Sequence, residues 1–132
     1  MSVKSKEKNN IGLDKKRLTN SFKYAFNGFK LTFKNEQNMV IHIIVATIVT
    51  ICGFIFKISL IEWCICLSLF ALVIGAELMN TALENTVDLI SKEKSMNAKV
   101  AKDTSAAFVL TFAILSIIIG LIIFVPKFLE VL

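Results

Sequence analysis

Three apolar stretches limit this chain more than any other feature. Ala106 to Val125 is twenty residues long and contains no charged residue. Met39 to Phe56 contains no acid or base except His42. Ile58 to about Asn80 is apolar apart from Glu62 near one end and Glu77 near the other. A hydrocarbon core about 30 Å thick needs roughly 20 such residues in a helix. At 132 residues, 55% of them hydrophobic, the chain is too apolar and too short for an ordinary soluble domain. The expected fold is an all-α membrane protein with transmembrane helices at about 38–56, 58–90 and 100–125. Buried helices of a soluble protein are the alternative for each run.

The basic residues orient these spans. Nine of fifteen precede residue 35, and Lys92, Lys94, Lys99 and Lys102 lie between the second and third spans. The first connection has only Lys57 and the C-terminal end only Lys127. Positive residues stay on the cytoplasmic side, so the N-terminus and second loop are expected there and the C-terminus outside. The net charge of +5 thus reflects topology and anionic lipid headgroups, and gives no reason to expect nucleic acid. The polar first 38 residues leave no room for a cleavable signal. Cys52, Cys64 and Cys66 sit in apolar spans, and Cys64 and Cys66 point about 200° apart on a helix. They read as small apolar residues.

Residues 1–13 are Lys-, Ser- and Asn-rich without a period, and are expected to form a disordered basic tail. From Asp14 onward Leu18, Phe22, Ala25, Phe26, Phe29 and Phe33 recur at three- and four-residue steps. Lys16, Lys23, Lys30 and Lys34 recur on another face. Such a pattern predicts an amphipathic surface helix over 14–35, lying in the membrane interface. Gly28 inside it costs roughly 1 kcal/mol against Ala, which suggests a close approach or a kink. The rest of the chain, 14–132, is expected to form one domain. A tight connection near Lys57 to Leu60 makes spans one and two a hairpin. Glu62 and Trp63 fit anchoring at the outer interface, and Pro126 is expected to end the third span.

The chemistry concentrates in Glu77-Leu78-Met79-Asn80-Thr81-Ala82-Leu83-Glu84-Asn85-Thr86-Val87-Asp88. An α-helix turns about 100° per residue. From Glu77, Asn80 falls about 60° to one side and Thr81 about 40° to the other, with Glu84 and Asp88 within about 20°. Three carboxylates share a face, opposite Met79, Leu83 and Val87. Like charges at this spacing repel, and a neighbouring membrane span raises the cost. No Lys or Arg stands among them. A bound cation relieves the repulsion, and Mg²⁺ takes one or two carboxylates plus substrate phosphates. A solvated helix end is the plainer alternative. Glu36, Lys102 and Asp103 fall at the same depth if the spans are antiparallel. Acids for a metal, a lysine for phosphate and a spare carboxylate for a proton together make a phosphoryl-transfer set. His42 reads as an interface residue or a helix–helix hydrogen-bond partner. Ser105, Ala106 and Ala107 read as small residues for close helix packing. The five glycines are scattered, and no glycine-rich phosphate loop occurs.

These residues resemble the small prokaryotic diacylglycerol kinase and undecaprenol kinase family over roughly residues 17 to 125. The resemblance is carried by Glu77-x-x-Asn80-Thr81-Ala82-Leu83-Glu84-x-x-Val87-Asp88 and by Ala98-Lys99-x-Ala101-Lys102-Asp103. The run Glu36-x-Asn38-x-x-Ile41-His42 is similar to the undecaprenol kinase branch. The resemblance implies an ATP-dependent lipid kinase of the bacterial plasma membrane. It implies a homotrimer whose active sites lie near subunit boundaries at the cytoplasmic face. It puts the general base on Glu77 and the Mg²⁺ ligands on Glu36 and Glu84. Nucleotide contacts fall on Arg17, Tyr24, Lys102 and Asp103 as well as on those two ligands, with Asn80 and Asp88 in support. Two departures bear on the acceptor. Glu93-Lys94-Ser95 replaces a Glu-Tyr-His run that the diacylglycerol branch uses near the nucleotide. Ala106 stands where that branch has a serine at the lipid site. Both favour undecaprenol, with diacylglycerol as the alternative. A small transporter with an acid-lined path and a non-catalytic membrane subunit are the readings from other classes.

Overall fold

The computed structural model describes residues 14–93 and 95–132. The expectation for the tail at 1–13 lies outside the described residues, as does that for Lys94. Four helices follow in order: α1 Lys15–Asn35, α2 Gln37–Ile55, α3 Leu60–Ile90 and α4 Met96–Val131. The described residues contain no strand. The last three helices are long and apolar enough to cross a membrane. At a rise of 1.5 Å per residue, the 31 residues of α3 span about 46 Å. That exceeds the roughly 30 Å of a hydrocarbon core, so α3 has a surplus for the polar edge, where its acidic residues lie.

α1 starts where Asp14 Oδ1 accepts from the backbone N–H groups of Lys16 and Arg17, at 2.9 and 3.4 Å. It buries only Thr32 and leaves Phe22, Tyr24 and Phe26 exposed, as a helix lying on a membrane surface would. Among the described residues no neighbouring side chain or backbone outside its own helix turn comes within 4 Å of a Cβ built on Gly28, so none of them supplies the close approach suggested by sequence. Glu36 is the single residue between α1 and α2. Its backbone is extended, φ −107° and ψ 113°, and its side chain makes no capping hydrogen bond. The carboxylate stands at the N-terminus of α2 and is left free for other work.

The connection from α2 to α3 is as tight as predicted. Lys57 takes a positive φ of 50°, a left-handed conformation that a non-glycine residue adopts at a cost. Ile58 N–H closes the turn onto Gly53 C=O at 3.1 Å. A Cβ on Gly53 would stand 2.7 Å from Trp63 Cη2, so only glycine lets the Trp63 ring lie against α2. Ser59 caps α3, and Glu62 reaches back to the Ser59 N–H at 2.6 Å. Reciprocal bonding of this kind satisfies two end donors at once. Glu62 also pairs with Lys127 of α4 at 3.1 Å. The residues expected to anchor this end at the interface therefore tie three segments of the chain together.

α4 departs from expectation at both ends. It begins at Met96, where Ser95 Oγ accepts from Ala98 N–H at 3.1 Å. It also runs through Pro126 to Val131 instead of ending there. Proline removes one helical donor, the one that would reach Ile122 C=O, and spanning helices tolerate this when neighbours hold the turn. Here Phe128 packs edge-on against Phe56 at 6.4 Å and Lys127 holds Glu62. α3 and α4 make the most extensive pairing, and α1 touches both α2 and α3. Ile58, Cys66 and Ile123 form the core at the hairpin end. All three cysteines are free, in keeping with their apolar reading. An apolar cavity of about 640 Å³ opens between α2, α3 and α4.

Candidate active site

The Glu77–Thr81 part of the polar face of α3 turns into the protein, while Glu84 is half-buried and Asp88 exposed. Glu77 is 1% exposed, and Asn80 and Thr81 are buried with it. Met79 and Leu83 on the opposite face are 55% and 44% exposed. This inverts the arrangement of a helix in a soluble protein, where polar groups face out. It suits a helix whose outer surroundings are lipid.

Glu77 meets His42 of α2. His42 Nε2 lies 3.1 Å from Glu77 Oε1. Among the described residues His42 is the close partner of this buried oxygen, and no well-directed hydrogen bond completes it. A buried carboxylate oxygen held this way is costly, which makes Glu77 a candidate for chemistry. Thr81 does not help, because its hydroxyl donates to the Glu77 backbone C=O at 3.0 Å. Glu36 and Glu84 both lie within electrostatic reach of Glu77. Asn80 Nδ2 donates to Glu84 Oε1 at 3.2 Å, and Ser105 Oγ of α4 donates to Asn80 Oδ1 at 2.6 Å.

One turn beyond Glu84, Lys102 Nζ pairs with Asp88 Oδ1 at 2.6 Å. Lys102 also lies within reach of the Glu84 charge. Asp103 pairs with Lys99 on the exposed surface of α4. These four residues border a polar cavity of about 600 Å³ together with Lys92 and Ser95.

The seven residues predicted to share one depth thus fall into two adjoining groups. Glu36, Glu77, Asn80 and Glu84 form an inner cluster, while Asp88, Lys102 and Asp103 border the polar cavity. Arg17 and Tyr24 are not brought to either group. Both are exposed on α1, and among the described residues neither side chain makes a hydrogen bond or ion pair. Sequence reasoning left two participants without a part in the cluster. His42 reads from sequence as an interface residue or a helix–helix partner. Its contact with Glu77 joins α2 to α3, but nothing in the sequence points to Glu77 as that partner. Ser105 carries no signal of its bond, because its partner lies on another helix.

The chemistry of the inner cluster suits a divalent cation. Among the described residues neither Glu36 nor Glu84 has a basic partner. No group of three His, Cys, Asp or Glu side chains there could hold a metal by itself. Two hard carboxylates are the donor chemistry on offer, and an ion there would take phosphate oxygens and water for the rest of its shell. That is how Mg²⁺ is commonly held beside a phosphorylated substrate.

Residues 23–124 match the family model described as Prokaryotic diacylglycerol kinase. An undecaprenol kinase of Bacillus subtilis is 45% identical over 111 residues, which cover 84% of this chain and 90% of that protein. A diacylglycerol kinase of Haemophilus influenzae is 35% identical over 108 residues, covering 81% and 92%. A longer diacylglycerol kinase of Synechocystis is 33% identical over 111 residues, covering 83% of this chain and 63% of that protein.

Proposed function

This chain belongs to the prokaryotic diacylglycerol kinase family of lipid kinases, and from that premise we propose that it phosphorylates undecaprenol. The product is undecaprenyl phosphate, and the donor is Mg-ATP. One observation carries the reading: a buried carboxylate, Glu77, lies within electrostatic reach of two carboxylates that have no basic partner among the described residues, and beside a residue that lines an apolar cavity. His42 touches Glu77 and also lines that cavity. A lipid chain lying in the cavity brings its hydroxyl end toward Glu77.

Glu77 acts as the general base. A primary alcohol is a poor nucleophile, and a positioned carboxylate that takes its proton typically contributes 10²–10⁴-fold. The lipid oxygen forms its bond to the γ-phosphorus as the bond to the β–γ bridging oxygen breaks, and ADP leaves. Glu36 and Glu84 would hold the Mg²⁺. Bound there, the cation supplies charge neutralisation across the phosphates. Lys102, on the wall of the polar cavity, turns from Asp88 to a phosphate oxygen as a flexible point charge. Asp103 contacts the nucleotide from the same wall, and Asp88 and Asn80 support the site. The exposed positions of Arg17 and Tyr24 fit nucleotide contacts made across a subunit boundary in a homotrimer. The basic residues of α1 and of the α3–α4 loop support a site at the cytoplasmic face of a bacterial plasma membrane.

The 45% identical relative supports undecaprenol as acceptor. The second reading, diacylglycerol converted to phosphatidic acid, is supported by the relatives named for that activity. Labelled γ-phosphate transfer from Mg-ATP by purified protein, with the two lipids offered in parallel, tests both. Undecaprenol is expected to take the label, and label in diacylglycerol alone would overturn the preferred acceptor. Glu84→Gln in the same assay is expected to lose at least about tenfold in activity, as loss of a metal ligand or its support does, with folding intact.

A further inference from the structure

Three polar side chains on two helices form a chain that ends on Glu84. Ser105 Oγ donates to Asn80 Oδ1 at 2.6 Å, and Asn80 Nδ2 donates to Glu84 Oε1 at 3.2 Å. Ser105 and Asn80 are both buried. The direction of this chain follows from the chemistry of its members. A carboxylate only accepts, so Asn80 must present its NH₂ to Glu84. That leaves Oδ1 facing α4, where the group opposite must donate. The Ser105 hydroxyl does so. Were the amide turned over, its oxygen would stand against the Glu84 carboxylate.

Ser105 behaves unlike most hydroxyls in these helices. Thr47, Thr50, Ser68, Thr81, Thr111 and Ser116 each donate to the carbonyl four residues back. This is the usual way for a serine or threonine in a helix to satisfy its O–H. Ser105 instead reaches across to α3. Among the described residues it makes the only hydrogen bond between uncharged side chains of two helices. It sits three residues beyond Lys102, so the helix that faces the polar cavity also orients the inner cluster.

We propose that Ser105 is a positioning residue for the phosphoryl-transfer site. Through Asn80 it holds the Glu84 carboxylate in the orientation that binds a divalent cation. This rests on Glu84 being a metal ligand of a lipid kinase. Without the Ser105 hydroxyl, Asn80 Oδ1 is left buried without a donor, and the amide loses the contact with α4 that holds it in place. The Glu84 carboxylate then keeps a donor that is no longer anchored, although the helix pairing keeps its apolar contacts. Hydrogen-bond partners of metal ligands typically govern 10–100-fold in metal affinity. Ser105 stands one bond further out, so the low end applies.

The test uses the full chain in lipid nanodiscs, with Mn²⁺ as probe and free Mn²⁺ counted by electron paramagnetic resonance without nucleotide. Ser105→Ala is expected to weaken Mn²⁺ binding roughly tenfold, with its metal-free melting midpoint close to that of wild type. Ser105→Thr keeps the hydroxyl and is expected to recover most of the affinity. If Ser105→Ala does not fold, Asn80→Ala removes the middle link and is expected to show the same loss. Mn²⁺ affinity unchanged in Ser105→Ala overturns the proposal. A lowered midpoint with affinity intact also overturns it, because Ser105 would then only join two helices. γ-Phosphate transfer on the same samples separates the two possible failures. Wild-type transfer with unaltered Mn²⁺ affinity in Ser105→Ala overturns the role of Ser105 alone. Wild type that neither binds Mn²⁺ saturably nor phosphorylates any lipid overturns the kinase mechanism and this proposal together.

Discussion

The two ends of the helix bundle are built to opposite rules. At the Lys57 end the polar groups that define the turn are satisfied. Ser59 and Glu62 cap each other's backbone, Glu62 holds Lys127, and the Trp63 ring fills the space over Gly53. At the Glu77 end the first turns of the helix polar face are buried and left incomplete. Glu77 Oε1 has no directed donor among the described residues, and Glu36 caps nothing. Buried polar groups are ordinarily paired. An end that breaks this rule, beside one that keeps it, has its chemistry held open for something that binds.

The sharpest way to break the comparison is Glu77→Gln. The account expects transfer to fall by about 10²–10⁴-fold, the usual worth of a positioned base. The melting midpoint should stay level or rise, since a buried carboxylate whose Oε1 has no directed donor among the described residues costs stability. A Glu77→Gln protein that melts much lower than wild type would mean that Glu77 is structural. Gly53→Ala probes the other end. Its Cβ meets the Trp63 ring at 2.7 Å, so overpacking should cost about 1–3 kcal/mol in thermal or denaturant unfolding. Activity per folded molecule should not change. Ser59→Ala is the mildest test. It removes one half of the reciprocal cap and should cost about 1 kcal/mol, again without effect on transfer. If either hairpin variant lowered turnover of the folded protein, the two ends would be coupled and the division drawn here would fail.

Much of this was legible in sequence because it depends on period and charge alone. The amphipathic α1 and the three spans follow from hydrophobic spacing. So does the gathering of Glu77, Asn80 and Glu84 on one face, since helix angles fix it. Glu36 joined them because its place between two helices sets its depth. What stayed hidden depends on neighbours that local rules do not reach. Pro126 reads as a stop, yet the Glu62–Lys127 and Phe56–Phe128 contacts carry α4 past it. Gly53 looks like any glycine in a span until Trp63 is placed against it. The Ser105–Asn80 bond spans 25 residues and gives no periodic trace. Arg17 and Tyr24 remain apart from the cluster in a single chain.

The most direct measurement of the central claim compares γ-phosphate transfer to undecaprenol by wild type, Glu77→Gln and Gly53→Ala, each normalised to folded protein. Turnover should be lost in Glu77→Gln and kept in Gly53→Ala, with the melting midpoint kept in the first and lowered in the second. Near-wild-type turnover from folded Glu77→Gln would contradict the assignment of the buried carboxylate as the base.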